Sequence, residues 1–224
     1  SVPGIEPDGT AILTYREAMV PKDMPKSLII VGSGAIGAEF ASFYNDMGVA
    51  VTLIEALDRI LPVEDEEVSA FVAKSFEKRG MKIMTKVKLQ SVSTGPNGVT
   101  ATLAGDQADL QADRMILAVG ITGNVENLGV EATAVKIDRG HIVTNGFGAT
   151  DEPGIYAIGD VTGPPWLAHK ASHEGIICVE KIAGVGDGHA IADGAVPGCT
   201  YCRPQVASVG MTEAAAKKAG HKIK

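Results

Sequence analysis

The sequence predicts an α/β fold on three observations. Short β-branched and aliphatic runs, Leu28 to Val31 and Val49 to Ile54, alternate with stretches whose apolar residues recur at helical spacing. A glycine-rich turn joins the first run to the first helical stretch. Beyond these, between Leu89 and Leu103, the period shortens from helical to strict alternation, which reads as an antiparallel meander beside a parallel sheet.

The elements follow in order. Leu28 to Val31 is unbroken and apolar, as expected of a strand buried on both faces, and it ends at Gly32. From Ala35 the residues Ile36, Phe40, Phe43, Tyr44 and Met47 keep helical spacing, and Gly48 supplies a C-terminal cap. Val49 to Ile54 is a second strand with Glu55 at its end. A second helical stretch opens on Glu64-Asp65-Glu66-Glu67 and closes on Lys78-Arg79-Gly80, charges that suit the helix dipole. Lys82 to Val87 makes a third strand, Leu89 to Ser93 and Val99 to Leu103 make a hairpin about Gly95-Pro96-Asn97-Gly98, and Arg114 to Val119 is a further buried strand ending at Gly120. Gly154 to Gly159 reads as a strand, Ala168 to Ile182 as a helix and Val206 to Val209 as a strand. Glu213 to Lys224 reads as a helix still running where the chain stops.

Composition narrows the function classes. Of 224 residues, 45% are hydrophobic and 21% charged, enough to bury a sizeable core. The 27 glycines set against 4% aromatics point to tight turns and close helix-to-strand approach. A net charge of −7 leaves no basic field for a nucleic acid. The longest apolar run, Ser27 to Ala38, is broken by glycine and falls short of the ~20 residues of a membrane span, so neither nucleic acid nor membrane is an expected partner. Three cysteines, Cys178, Cys199 and Cys202, are too few for a disulfide scaffold and fit a reducing compartment: the cytoplasm or, in a eukaryote, the mitochondrial matrix. Ser1-Val2-Pro3-Gly4 lacks the regions of a signal peptide and an initiating Met, and reads as a cut end.

Gly32-Ser33-Gly34-Ala35-Ile36-Gly37 is G-x-G-x-x-G between a strand and a helix. In that setting the first glycine makes the turn, the second admits a pyrophosphate and the third lets helix meet strand, while free amides hold the anion. Glu55 stands where a carboxylate accepts hydrogen bonds from both adenosine ribose hydroxyls and repels a 2′-phosphate, favouring NAD over NADP. Together these make the domain Rossmann-like. Glu39, in the first turn of the helix, is either a charge favourable to the dipole or a group facing the cofactor. Gly159-Asp160 after a strand could bind polyol hydroxyls or be a plain turn. Cys199-Thr200-Tyr201-Cys202 has the C-x-x-C spacing, but Arg203-Pro204 replaces the helix of a redox dithiol and no second pair completes a zinc site. His169 and His173 lack the intervening Glu of a zinc protease, and no metal site is expected.

Taken together, these motifs resemble the flavoprotein pyridine nucleotide-disulfide oxidoreductases, and most closely their dihydrolipoamide-oxidising branch, over nearly the whole chain. Pro3-Gly4-Ile5-Glu6-Pro7-Asp8-Gly9 and Thr14 to Met19 look like the end of a first FAD-domain segment, Gly32 to Phe40 like the NAD turn, and Ile155 to Asp160 like a second flavin motif. Leu167 to Ala171 with Glu174-Gly175 look like a flavin-facing helix, and Gln205 to Glu213 like the opening of a dimer-interface domain. The resemblance implies four parts: residues 1–21 and 146–193 as pieces of a partial FAD-binding domain, 22–145 as the NAD-binding domain, and 194–224 as the start of the interface domain. It implies that Gly32, Ser33, Gly34, Ala35, Ile36, Gly37 and Glu55 bind NAD, with Val87 by the adenine, Gly120 against the cofactor and Glu39 toward the nicotinamide. It assigns Asp160 to the ribityl chain of FAD, and Leu167, Ala168 and His169 to further FAD contacts.

Gly120-Ile121-Thr122-Gly123-Asn124 departs from the family's Gly-Arg-x-Pro-Asn and leaves Ile121 and Thr122 without a role. The family's first flavin glycine turn, redox cysteine pair and His-Glu base have no counterpart in these residues. The expectation is therefore an internal, catalytically inactive fragment with an incomplete flavin cradle. Its parent would be a homodimer serving a 2-oxo-acid dehydrogenase complex. The rival readings are a stand-alone NAD-binding module and a piece of another flavoprotein disulfide reductase.

Overall fold

A computed structural model describes residues 4–105, 107–186, 188–192 and 194–223; Ser1 to Pro3 and Lys224, at the two ends of the expected segments, and residues 106, 187 and 193 lie outside the described residues. The chain divides into two compact units, Ser1–Gly120 with Cys199–Lys224, and Ile121–Gly198.

The first unit is built on a parallel sheet. Its strands are β1 (Ile12–Leu13), β2 (Ser27–Val31), β3 (Ala50–Ile54), β4 (Lys82–Met84) and β8 (Arg114–Leu117), in the order β1-β8-β2-β3-β4. Between them the chain forms α1 (Tyr15–Met19), α2 (Ala35–Asp46), α3 (Glu66–Lys78) and the antiparallel strands β5 (Leu89–Gly95), β6 (Gly98–Leu103) and β7 (Leu110–Ala112). Alternate residues of the central strands feed opposite faces of the sheet. Leu28, Ile30, Val51, Leu53 and Ile116 join a core with Ala38, Ala41 and Tyr44 of α2 and Val72 and Phe76 of α3. Ile29, Val31, Ile54 and Met115 join a second core with Val99, Ala101, Leu103 and Ala112 of the meander. The unbroken apolar runs are thus explained: helices cover one face and the meander the other.

The last segment also belongs to this unit. β11 (Gly198–Thr200) and β12 (Val206–Ser208) pair, and Cys202 and Val206 enter the α2 and α3 core. Helix α5 (Glu213–Lys218) follows; its N-terminal residue Glu213 donates its amide to Asp65 at 2.7 Å. The helix ends at Lys218, where the Gly220 amide bonds to the Lys217 carbonyl, so the expectation of a helix running to Lys224 is corrected: Gly220 at φ +83° ends it.

The second unit contains the hairpin β9 (Ile137–Asp138) and β10 (His141–Ile142), a single 3-10 turn (Gly159–Thr162) and α4 (Ala168–Ala183). The strand expected over Gly154 to Gly159 is reduced to one bridge between Ala149 and Tyr156. No described neighbour ladders with it, so alternation of apolar residues alone does not make a strand there.

Candidate functional site

The candidate residues divide between the two units. In the first, β2 lies between β3 and β8, and the C-terminal end of a strand so placed is where an open α/β sheet takes a ligand. Gly32 turns the chain there at φ +96°, and a Cβ on it would lie 2.8 Å from the Ala118 carbonyl carbon. A Cβ on Gly37 would lie 2.9 Å from the Gly32 carbonyl carbon, so only glycine lets α2 rest against the turn. Gly34 is different. Its φ of −64° suits any residue, and a Cβ on it would meet nothing within 4 Å. Gly34 is also the N-cap of α2, and no side chain caps that helix. The amides of its first turn, at Ala35, Ile36 and Gly37, are left for an anion. Protein packing explains the first and third glycines; the second faces open space.

Glu55, 8% exposed, follows β3 beside this turn. One carboxylate oxygen accepts from the Ser33 amide at 2.9 Å and the Ser33 hydroxyl at 2.6 Å, and the other from the Leu57 amide at 2.8 Å. Ser33 is wholly buried, so the serine between the glycines orients the acid, a role its spacing did not reveal. The oxygen that meets Ser33 is filled by those two bonds, while the oxygen that meets Leu57 keeps a lone pair for a ribose hydroxyl. Val87, buried, donates its amide to the Glu55 carbonyl at 3.0 Å, which brings it to the same edge. Gly120 follows β8 at φ +134°, two residues beyond the Ala118 carbonyl that faces Gly32.

Glu39 is engaged by the chain itself: its carboxylate accepts the Tyr201 amide at 2.7 Å. On the same side of α2, Ser42 accepts the Arg203 amide at 2.9 Å, and Asp46 meets the Arg79 and Arg203 guanidinium groups. Arg79 also donates to the Arg203 carbonyl at 2.8 Å. The C-x-x-C segment is therefore a docked strand end. Cys202 is buried, its thiol donates to the Pro204 carbonyl, and burial pushes it above the ordinary thiol range. Among the described residues no His, Cys, Asp or Glu cluster could hold a metal ion, and no helix is long and apolar enough to cross a membrane.

In the second unit Asp160 lies exposed within the turn Gly159–Thr162, and its carboxylate accepts no hydrogen bond among the described residues. Leu167 is the N-cap of α4, Ala168 and His169 open its first turn, and no side chain caps it. His169 Nε2 sits 2.8 Å from the Pro197 carbonyl. A free carboxylate beside an uncapped helix start fits a ligand with hydroxyls and an electron-rich end.

The family model of the pyridine nucleotide-disulphide oxidoreductases matches residues 1–175, and that of their dimerisation domain residues 196–224. A dihydrolipoyl dehydrogenase of Rhizobium etli is 58% identical over all of this chain and 47% of its own length. One from Zymomonas mobilis is 49% identical over all of this chain and 48% of its own length. The chain thus spans about half the length of the curated relatives it matches. Among solved structures, LpdA from Mycobacterium tuberculosis aligns with a TM-score of 0.90 at 31% identity, over 98% of this chain and 48% of that one. The HOCl-induced flavoprotein disulfide reductase RclA from Escherichia coli aligns at 0.90 and 28%, over 100% of this chain and 52% of that one. With the glycine turn, the buried acid and both family models in register along one chain, the protein belongs to the pyridine nucleotide-disulphide oxidoreductases.

Proposed function

We propose that this chain is the nucleotide-binding middle of a dihydrolipoyl dehydrogenase, whose parent oxidises dihydrolipoamide through a redox disulfide and FAD and reduces NAD. Identity of 58% along the whole chain supports the parent reaction. The observation that carries the NAD site is Gly34, a glycine that neither backbone conformation nor packing requires, at the uncapped start of α2. In this reading the first-turn amides of α2 take the pyrophosphate, and Glu55 takes the adenosine ribose. Its negative charge disfavours a 2′-phosphate, and Val87 lies against the adenine. Gly120 leaves the backbone open to the cofactor, and Glu39 reaches the nicotinamide side when it exchanges the Tyr201 amide for ligand.

Asp160 would accept hydrogen bonds from the ribityl hydroxyls of FAD, and the start of α4, Leu167 to His169, would face its ring. When bound, FAD supplies the two-electron relay between the thiols and NAD. The residues of this chain bind and orient; the three cysteines lie outside the family's redox position, so the chain alone is expected to produce no NADH. The parent is read as a homodimer within a 2-oxo-acid dehydrogenase complex, in line with the dimerisation match at 196–224.

Titration calorimetry of this chain with NAD and with NADP tests the site: NAD is expected to bind at least tenfold more tightly. Dihydrolipoamide-dependent NADH formation by the full-length protein, absent from the 224-residue chain, tests the reaction. Equal affinity for the two nucleotides overturns the role of Glu55, and turnover by the chain alone overturns the fragment reading.

A further inference from the structure

The ends of the turn Gly159–Thr162 are gripped by two side chains of α4 that no motif singled out as a pair. Lys170 is buried, with 8% exposure, and its ammonium lies 2.9 Å from a Glu174 carboxylate oxygen one helical turn on. The same ammonium reaches the Gly163 carbonyl at 3.2 Å and the Thr162 hydroxyl at 3.4 Å. The other Glu174 oxygen accepts the Gly159 amide at 2.7 Å. One residue therefore holds the turn where it begins and the other where it ends. Asp160 lies between the two grips, and both grips rise from the helix whose first turn starts at Ala168.

Within the turn, the Thr162 hydroxyl donates to the Gly159 carbonyl at 2.7 Å and the Gly163 amide to the Asp160 carbonyl at 3.2 Å. The bridge between Ala149 and Tyr156 precedes it, and Gly159 itself sits at φ +77°. A Cβ on Gly159 would lie 3.2 Å from that of Ala171, so the turn also rests directly on α4. A buried ion pair is weak evidence for stability, since an apolar pair of similar volume often serves as well. What an apolar pair could not do is hold a backbone amide and a backbone carbonyl at opposite ends of one turn.

We propose that Lys170 and Glu174 are positioning residues for the flavin: a clamp that sets the Asp160 carboxylate at a fixed place relative to the uncapped start of α4. The proposal rests on the reading of Asp160 and α4 as an FAD subsite. It assigns these two residues no contact with the flavin and no proton transfer.

The test uses the full-length flavoenzyme, with Lys170→Met, Glu174→Gln and Thr162→Val, and FAD as the probe. Glu174→Gln keeps an acceptor for the Gly159 amide, and Thr162→Val removes the 3.4 Å Lys170 contact and the turn's own bond from the Thr162 hydroxyl to the Gly159 carbonyl while leaving the Lys170–Glu174 pair, so both remain informative where Lys170→Met fails to fold. Lys170→Met is expected to raise the FAD dissociation constant at least tenfold and to shift the visible flavin band. Glu174→Gln is expected to weaken FAD a few-fold, while NAD affinity stays within twofold in every variant. Lys170→Arg, which keeps the charge, is expected to restore part of the FAD affinity. Folded variants, by circular dichroism, that bind FAD with the unmodified constant and spectrum overturn the clamp while leaving the flavin reading intact. Unmodified full-length protein that takes up no FAD overturns both.

Discussion

Replacing Gly34 by Ala separates what the fold needs from what the ligand needs. At φ −64° and ψ −174° alanine fits the backbone, and its methyl meets no protein atom within 4 Å. Stiffening the unfolded chain stabilises by about 0.4–1 kcal/mol, and the poorer N-cap costs a similar amount. Net stability is therefore expected to move by no more than about 0.5 kcal/mol, a shift of roughly 2 °C in Tm for a chain of this size. In the proposed NAD site, however, the methyl stands at the start of α2, where the pyrophosphate would bind. Displacing the anion by that much breaks one or two charge-assisted hydrogen bonds, about 1.5–3 kcal/mol together, or about 10- to 150-fold in Kd. Gly37→Ala is the control. Its methyl collides with the Gly32 carbonyl, so α2 must lift from the turn, and overpacking of that kind costs about 1–3 kcal/mol before any ligand is added. Thermal unfolding without nucleotide and calorimetry with NAD read the two effects independently. Gly34→Ala protein that keeps its Tm and binds NAD within twofold of the unmodified chain refutes the reasoning.

Three other outcomes are expected. Glu55→Ala leaves the Ser33 amide and hydroxyl and the Leu57 amide without their acceptor, and should lower unfolding free energy by about 2–4 kcal/mol in urea; an unchanged midpoint contradicts it. Arg79→Ala should cost only about 1 kcal/mol, because Asp46 is half-exposed and water screens the pair. Hydrogen exchange at the Tyr201 and Arg203 amides should nevertheless quicken, and unaltered protection there removes Arg79 from the docking of the last segment. Burial holds the Cys202 thiol above its ordinary range, so the folded chain keeps that proton after the unfolded chain begins to lose it. The stability this supplies is complete below about pH 8.5 and is lost as pH rises, so denaturation midpoints should fall between neutral and alkaline pH more steeply than in Cys202→Ala. Equal slopes refute the assignment.

Much of the fold was legible because burial on both faces writes unbroken apolar runs: β2, β3 and β8 were read within a residue or two. Short strands escaped. Ile12–Leu13 is two residues long and gains its identity only from pairing with β8. The reverse error arose at Gly154 to Gly159, where apolar residues are present but a partner strand is not. The glycine turn and Glu55 were legible because they keep the spacing of the dinucleotide-binding pattern, whereas the hydrogen bond from Ser33 to Glu55 links residues whose types and separation signal nothing. The same holds for Glu39, whose partner at Tyr201 is far along the chain and is a backbone amide, invisible in residue type. Lys170 and Glu174 were legible as residues of one helix, but neither their pairing nor the turn they grip was.

The first unit draws on chain lying on both sides of the second: Leu13 and Ala18 come from before residue 21, and Cys202 and Val206 from beyond residue 198, yet all four share one core. A ribosome makes these residues in order. The parallel sheet lacks its central neighbour β8 until residue 117 has left the exit tunnel, and the core stays unplugged until Val206 follows. Nascent chain is thus held with apolar surface exposed while the whole of 121–198 is translated. At a few residues per second that interval lasts several seconds or more, long enough for chaperone engagement or mispairing to compete with closure.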